Sequence, residues 1–414
     1  MPQQTGYRWQ AYGALIEALS WLHYVVVSPL GQSDEGGAEW LGKRRHPVLP
    51  ESTAARRIWI HAVSAGESKV AELLRQQLLA LDPTLSVVLS ATTYSGYARI
   101  KRAAGTESAF IMPLDTLGEQ SRLFEHLQPD LLVLVESEYW PAQFAAAEAA
   151  GVPVVVVNAT LSARSFSRHR RFPAIARHTL LKAKRIYPQD EQTLVRYRDL
   201  GVRDTRLELG GNLKLAPLGN VPPPDRSRPT ITFGNIHADE LDTLTPAILE
   251  LRTRRPARRI VLVPRYPGRI PPAELHRRFG ANLAIVESLA ATEAALVWLD
   301  SMGTLADAYA RSEIGIVCGT FSPIGGHDLS EPLQLGAASL YGPHVERQRA
   351  LDQSLKAMQG AIQVGSAADL PAAILSLLDD PAARDAMVTR YSQLSDTAAI
   401  RLRQIAGDLL ALAQ

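Results

Sequence analysis

This chain has almost no cysteine, almost no net charge, and no long apolar run free of ionisable residues. One thiol, Cys318, among 414 residues excludes a disulfide framework and any multi-cysteine metal centre, and it fits a reducing compartment. A formal net charge of +2, from 44 Lys and Arg against 42 Asp and Glu, argues against both a nucleic-acid protein and an acidic one. Arginine clusters only locally, at Arg164 to Arg171 and Arg252 to Arg259. The most apolar stretch, Ala11 to Leu30, carries Glu17 and His23 inside it, whereas a spanning helix needs about 20 mostly apolar residues. It also lacks the basic start and small-residue cleavage site of a signal peptide. Two readings stand for it: a helix lying in the membrane interface among Trp9, Tyr12, Trp21 and Tyr24, or an ordinary helix packed on the first domain.

What is present is enough apolar material, 46% of the residues, to fill two cores. The pattern alternates short apolar runs with amphipathic stretches, which predicts an α/β fold. Strands are expected at Ile58 to Val63, Leu85 to Leu89, Ala109 to Met112, Leu131 to Val135, Val154 to Val157 and Arg185 to Tyr187. After a proline-rich stretch holding Pro222, Pro223 and Pro224 the alternation restarts. Further strands are expected at Thr230 to Phe233, Arg259 to Val263, Leu296 to Leu299 and Ile314 to Val317, with one more ending at Gly342 to His344. From Arg347 to Leu412 the pattern is helical. The expected domains are an N-terminal segment at 1–50, membrane-associated on the first of those two readings, a first α/β domain at 51–215, a linker at 216–228, a second α/β domain at 229–395 and a C-terminal helix at 396–414.

Polar residues gather where these strands end, which is where open α/β sheets bind ligands. The first such place is Ser64, Ala65, Gly66 and Glu67. Gly66 lets a substrate approach the backbone, and Glu67 falls in the first turn of a helix. There it is either a reactive carboxylate or simply a partner for the helix dipole. Thr92 and Thr93 follow the second strand, either as hydroxyl contacts for a sugar or phosphate or as a helix cap. Glu136 and Glu138 follow the fourth strand, as an acid and base or as a structural carboxylate bonded to loop N–H groups. Asn158 follows the fifth, leading into the basic segment Arg164 to Arg171, which is either an anion-facing surface or a solvated helix face. Asn212 and Lys214 close the first half. In the second half Arg265 is either an anion fork or one side of a surface ion pair. Met302 and Gly303 open a helix whose N–H groups suit phosphate. Gly325, Gly326 and His327 form a loop leading to Glu331, which is either merely a turn or a ribose site where Glu331 accepts two hydroxyls.

Nine segments, in order and spacing, resemble the 3-deoxy-D-manno-octulosonic acid (Kdo) transferases of lipopolysaccharide synthesis: WIHAVSAGES, ATTYSGY, ESEYWP, NATLSARS, GNLK, PRYPGR, DSMGTL, GGHDLSEP and GPH. The resemblance runs from Ile58 to His344. It implies two facing Rossmann-like domains, the GT-B arrangement, with a cleft between them, and neither metal nor other cofactor. It further implies transfer of Kdo from cytidine monophosphate (CMP)-Kdo to a lipid A precursor at the inner face of the cytoplasmic membrane, by a protein bound there peripherally. The family's general base falls on Glu67, and its nucleotide-holding residues fall on Arg265, Met302, Gly303 and Glu331. Gly325, Gly326 and His327 join that donor set, while Ser64, Gly66, Thr92, Thr93, Glu136, Glu138, Asn158, Asn212 and Lys214 are expected on the acceptor side or as its support. The chain departs from the family pattern at Thr160, Tyr266, Asp328 and Ser330, and at Gly234 with Asn235. Asp328 weighs most, because a carboxylate beside an anionic donor repels it unless it binds hydroxyls. The departures bear on donor and acceptor, so two other readings stand: a relative moving another CMP-activated acidic sugar or using a non-lipid acceptor, and a non-catalytic nucleotide-binding paralogue.

Overall fold

The computed structural model describes residues 11, 12, 14, 15, 18, 42–51, 56–137, 139–217, 224–225 and 227–413. It divides into two compact units, Met1–Ala216 with Thr397–Gln414, and Pro217–Asp396.

In the first unit β1 (Arg57–Ala62), β2 (Ser86–Ala91), β3 (Ala109–Ile111), β4 (Leu131–Val135), β5 (Val154–Ala159) and β6 (Arg185–Pro188) form one parallel sheet in the order 3-2-1-4-5-6. Apolar runs make these strands because both faces are covered, and β1, β4 and β5 are buried along their whole length. The crossovers run through α1 (Ala65–Leu81), α2 (Tyr94–Ala104), α3 (Leu117–Leu127) and α4 (Pro141–Ala149). After β5 come α5 (Ala163–Arg171) and α6 (Pro173–His178), and after β6 comes α7 (Glu191–Asp199). Trp59, Phe110 and Phe124 pack ring against ring in this unit's core. Direction reverses at β1, which pairs β2 on one side and β4 on the other. The carboxyl ends of β1 and β4 therefore form a topological switch point, the usual ligand position in such sheets.

The second unit repeats the scheme with β7 (Thr230–Ile236), α8 (Leu241–Arg254), β8 (Arg259–Pro264), α9 (Pro272–Phe279), β9 (Ala284–Val286), β10 (Leu296–Leu299), α10 (Leu305–Ala310), β11 (Ile314–Val317), α11 (Glu331–Gln334), β12 (Ala338–Tyr341), α12 (Arg349–Ala357), β13 (Ile362–Gln363) and α13 (Leu370–Asp379). Its parallel sheet has the order 13-12-11-7-8-10-9, with the switch at β7 and β11. Gly234 lets β7 pass the helix beneath it, since a Cβ there would sit 2.2 Å from the Tyr309 hydroxyl.

The strands at Leu131–Val135, Leu296–Leu299 and Ile314–Val317 keep their expected bounds. Two short strands were not expected. β9 has only three residues, and β13 interrupts the stretch from Arg347 that reads as helical throughout, because two residues are too few to show a strand period. The last helix, α14, begins at Pro381, and from Thr397 its residues group with the first unit. Most of the Ala11 to Leu30 segment lies outside the described residues. Tyr12 is described, and its hydroxyl donates to Asp115 at 2.7 Å. Among the described residues no helix is long and apolar enough to cross a membrane.

Candidate functional site

In the first unit Ser64 caps α1, and Glu67, three residues on, reaches back over the turn. Its carboxylate accepts from the Val63 N–H at 2.7 Å and from the Ser64 hydroxyl at 2.8 Å. Both readings of this acid thus meet in one geometry: it closes the helix start, as in a capping box, and it stands at the carboxyl end of the switch-point strand. Its partners are a backbone amide and a hydroxyl. Burial, with only 9% of the residue exposed, pushes its proton affinity above the ordinary carboxylate range, and nearby Glu136 adds to this. The Val63 and Ser64 bonds and the Lys214 charge pull the other way without prevailing. Packing does not dictate Gly66, since a Cβ there would lie 3.6 Å from the nearest atom, Lys214 Nζ, in ordinary contact.

Glu136, in a left-handed conformation (φ 66°) at the end of β4, forms an ion pair with Lys214 and accepts from Asn158 Nδ2 at 3.3 Å. Its partners are side chains, not the loop N–H groups expected of a structural carboxylate there. Asn158, also left-handed (φ 53°), accepts through Oδ1 from the Leu213 N–H at 2.9 Å. Asn212 caps the turn carrying Lys214, accepting from the Lys214 N–H at 3.1 Å. Residues distant in sequence thereby place one cation beside two carboxylates. Asn158→Ala should remove an acceptor from a buried N–H and a donor from Glu136. A loss of about 1–3 kcal/mol of stability is expected from denaturant midpoints, for one unsatisfied buried group.

Thr93 is spent on structure: its Oγ1 caps α2 by accepting from the Gly96 N–H at 3.1 Å, and donates to Val63 O at 2.9 Å. Thr92, half-buried, sits at the same strand end. Glu138 lies outside the described residues. Thr160 pairs with Ser137. The basic helix α5 is largely solvated, with Arg164, Arg168, Arg170 and Arg171 exposed and His169 buried.

In the second unit β11, β7, β8 and β10 are neighbours, so the expected residues after them line one edge of the sheet. Arg265 follows β8, and its N–H donates to Ile236 O at 2.9 Å. His237 follows β7, and its Nε2 lies 2.8 Å from Nε2 of His327, with the rings stacked at 5.1 Å and 15°. Burial, the partner imidazole and the charges of Arg265 and Arg347 hold His327 at about 4, and burial also lowers His237, so the pair is uncharged at neutral pH. One ring donates and the other accepts. The glycines of the loop are dictated by geometry: Gly319 (φ 73°) would bring a Cβ within 2.7 Å of His327, and Gly325 (φ 95°) within 2.8 Å of Arg347. Gly326 is likewise left-handed (φ 86°). Asp328, the departure of most concern, accepts from the Ser330 N–H at 3.0 Å and the Ser330 hydroxyl at 2.6 Å. The other unusual residue of this loop thus supplies the hydroxyl that occupies it. Glu331 is the first residue of α11. Met302, 68% exposed, and Gly303 (φ 82°) follow β10 ahead of α10.

One supporting residue, expected in the loop and helix start after β7, was assigned no role from the sequence. Glu240, fully buried, accepts from the His237 N–H at 3.0 Å, the Gly319 N–H at 2.7 Å and the Phe321 N–H at 2.9 Å. It ties the loop after β7 to the loop after β11. The signal was the spacing His237 to Glu240, a capping box with His in place of Ser or Thr.

Residues 39–217 match the family model described as 3-deoxy-D-manno-octulosonic-acid transferase (kdotransferase). The chain is 29% identical over 344 residues to the Kdo transferase of Haemophilus influenzae, covering 79% of this chain and 80% of that one. It is 29% identical over 362 residues to that of Bordetella pertussis (80% and 82%) and 28% over 349 residues to that of Chlamydophila psittaci (80% and 79%). Two solved structures share the fold: UDP-GlcNAc 2-epimerase from Neisseria meningitidis, with a TM-score of 0.55 at 13% identity over 86% of this chain and 99% of that one, and MurG from Acinetobacter baumannii, with 0.52 at 13% over 85% and 99%. Two Rossmann-like domains with these likenesses are the GT-B architecture, and the protein is a glycosyltransferase similar to the Kdo transferases.

Proposed function

We propose that this protein transfers Kdo from CMP-Kdo to a lipid A precursor during lipopolysaccharide synthesis, by a single inverting displacement that uses no metal. The observation that carries the reading is Glu67, a buried carboxylate of raised proton affinity at the switch point of the domain that matches the family model. An acceptor hydroxyl attacks the anomeric carbon as its proton passes to Glu67. The bond from that carbon to the phosphate oxygen breaks, and CMP departs with the electron pair. Nucleophile and leaving group occupy opposite faces, which gives inversion. Arg265 supplies positive charge for the departing phosphate, the task a metal performs elsewhere. Glu331 takes the ribose hydroxyls, and Met302 with Gly303 helps hold the nucleotide. Ser64, Lys214 and Glu136 set the charge around Glu67. The reaction is placed at the inner face of the cytoplasmic membrane, where such an acceptor lies, with the exposed arginines of α5 suited to an anionic surface.

Incubation with CMP-Kdo and a lipid A precursor, read by mass spectrometry of the lipid, tests this. Kdo-modified lipid is expected with the wild-type chain and not with Glu67→Gln. Unaltered lipid from both removes the reading.

A further inference from the structure

The tight turn after β8 carries a pocket that the donor residues above do not account for. Arg265, Tyr266 and Arg269 stand on this turn, which Asp300 pins by accepting from the Gly268 N–H at 2.8 Å, with Gly268 left-handed at φ 73°. Both guanidinium groups lie over the Tyr266 ring, Arg265 at 5.3 Å and Arg269 at 4.8 Å from its centre, while His237 meets the same ring edge-on at 5.8 Å. Two like charges are thus held on one aromatic ring. Among the described residues neither arginine has a carboxylate partner. Some other arginines of this unit have carboxylate partners, such as Arg254 with Glu250, Arg278 with Asp242 and Glu274, and Arg311 with Asp225, while Arg252, Arg259 and Arg390 bond to carbonyl oxygens. Uncompensated positive charge fixed in place is a site for an anion.

Beside this ring lies a pocket of about 200 Å³ with an apolar wall of Ile236, Pro264 and Ile270, the Tyr266 ring on one side, and Arg269 and Asp239 at its rim. Asp239 has no hydrogen bond or ion pair among the described residues and is exposed. The volume is that of a single sugar rather than a nucleotide. The polar side chains are Arg269, a cation for a carboxylate, Asp239, a carboxylate for hydroxyls, and His237, whose ring meets Tyr266 edge-on, over apolar surface for the carbon face. Such a pocket suits an acidic sugar, whose carboxylate would pair with Arg269 as the guanidinium loses water.

We propose that this pocket is the subsite for the sugar of the donor, with Arg269 binding its carboxylate, Asp239 accepting from its hydroxyls and Tyr266 packing on its carbon face. The assignment rests on the donor being an acid sugar carried by CMP. It divides the arginines of one turn between the two negative charges of that donor: Arg265 takes the phosphate and Arg269 the carboxylate. Tyr266, one of the departures from the family pattern, thereby acts in donor choice.

Three measurements on the full-length protein test it. In the transfer assay Arg269→Met should raise KM for CMP-Kdo about tenfold to a hundredfold, the worth of one charge-assisted pair. Calorimetric affinity for CMP alone should stay within about twofold, since CMP lacks the carboxylate, and Arg269→Lys should recover part of the loss. Equal weakening of CMP and CMP-Kdo would assign Arg269 to the phosphate and overturn the subsite, as would no change in either. Independently, NMR saturation transfer from the CMP-loaded wild-type protein should be stronger to free Kdo than to its methyl ester, and the preference should vanish in Arg269→Met. Equal signals from acid and ester overturn the subsite even if transfer is seen. A preference for the acid with no transfer would sink the proposed function and leave the subsite standing.

Discussion

Glu67→Gln is expected to lower kcat for Kdo transfer by about 10²–10⁴-fold, the range for removing a positioned general base. The substitution keeps the shape of the side chain. An amide oxygen can still accept from the Val63 N–H, and an amide NH₂ can donate to the Ser64 oxygen, so α1 should start as before. Loss of activity with an unchanged circular dichroism spectrum then reports chemistry rather than misfolding. The pH profile carries the same information. The base must be ionised, and its proton affinity is raised, so the rate should fall with decreasing pH through a point above the ordinary glutamate range. That limb should be absent from the residual rate of Glu67→Gln.

Stability follows with the opposite sign. Because the folded form holds the Glu67 proton more tightly than the unfolded chain, the stability this group contributes when protonated is lost as pH rises through its folded value. At neutral pH, then, the ionised carboxylate is a strain that the fold tolerates. Glu67→Gln removes it, and a rise in melting temperature of about 2–4 °C would correspond to about 1 kcal/mol in a domain of this size. A variant both less active and less stable, or one as active as wild type, contradicts the role given to Glu67.

The second large effect belongs to Glu240→Ala. Glu240 accepts from the N–H groups of His237, Gly319 and Phe321, and Gly319 and Phe321 lie in the loop that continues to His327 and Glu331. Truncation leaves these donors buried and unpaired, and a loss of about 3–5 kcal/mol is expected, as when one partner of a buried charged network is removed. Glu240→Gln should be milder without being neutral, since its NH₂ would face N–H groups. Hydrogen exchange should show the Gly319 and Phe321 amides losing protection first. CMP affinity should fall at least about tenfold, because the loops after β7 and β11 are then no longer tied together. Full protection at these amides in Glu240→Ala would show that the loops are held by something else.

Much of the fold could be read from local patterns. Leu131–Val135 and Ile314–Val317 are apolar runs bounded by turn residues, and a strand buried on both faces leaves that trace whatever surrounds it. Short strands leave no such trace, which is why β9 and β13 went unread. In the same way Gly319 and Gly325 mark backbone that no other residue adopts without strain, and Ser64 with Glu67 marks a helix start three residues wide.

Other properties had no local signal. The sequence by itself determined the two αβ alternations and the residues at each strand end, because strand periods, turn chemistry and helix caps act between near neighbours in the chain. Only the tertiary structure decided which of those residues meet: that Lys214 stands beside Glu136 near Glu67, that His237 stacks on His327, and that Glu240 holds Gly319 and Phe321. Proton affinity and charge balance depend on distance and burial, and strand order brings together groups that the chain keeps far apart.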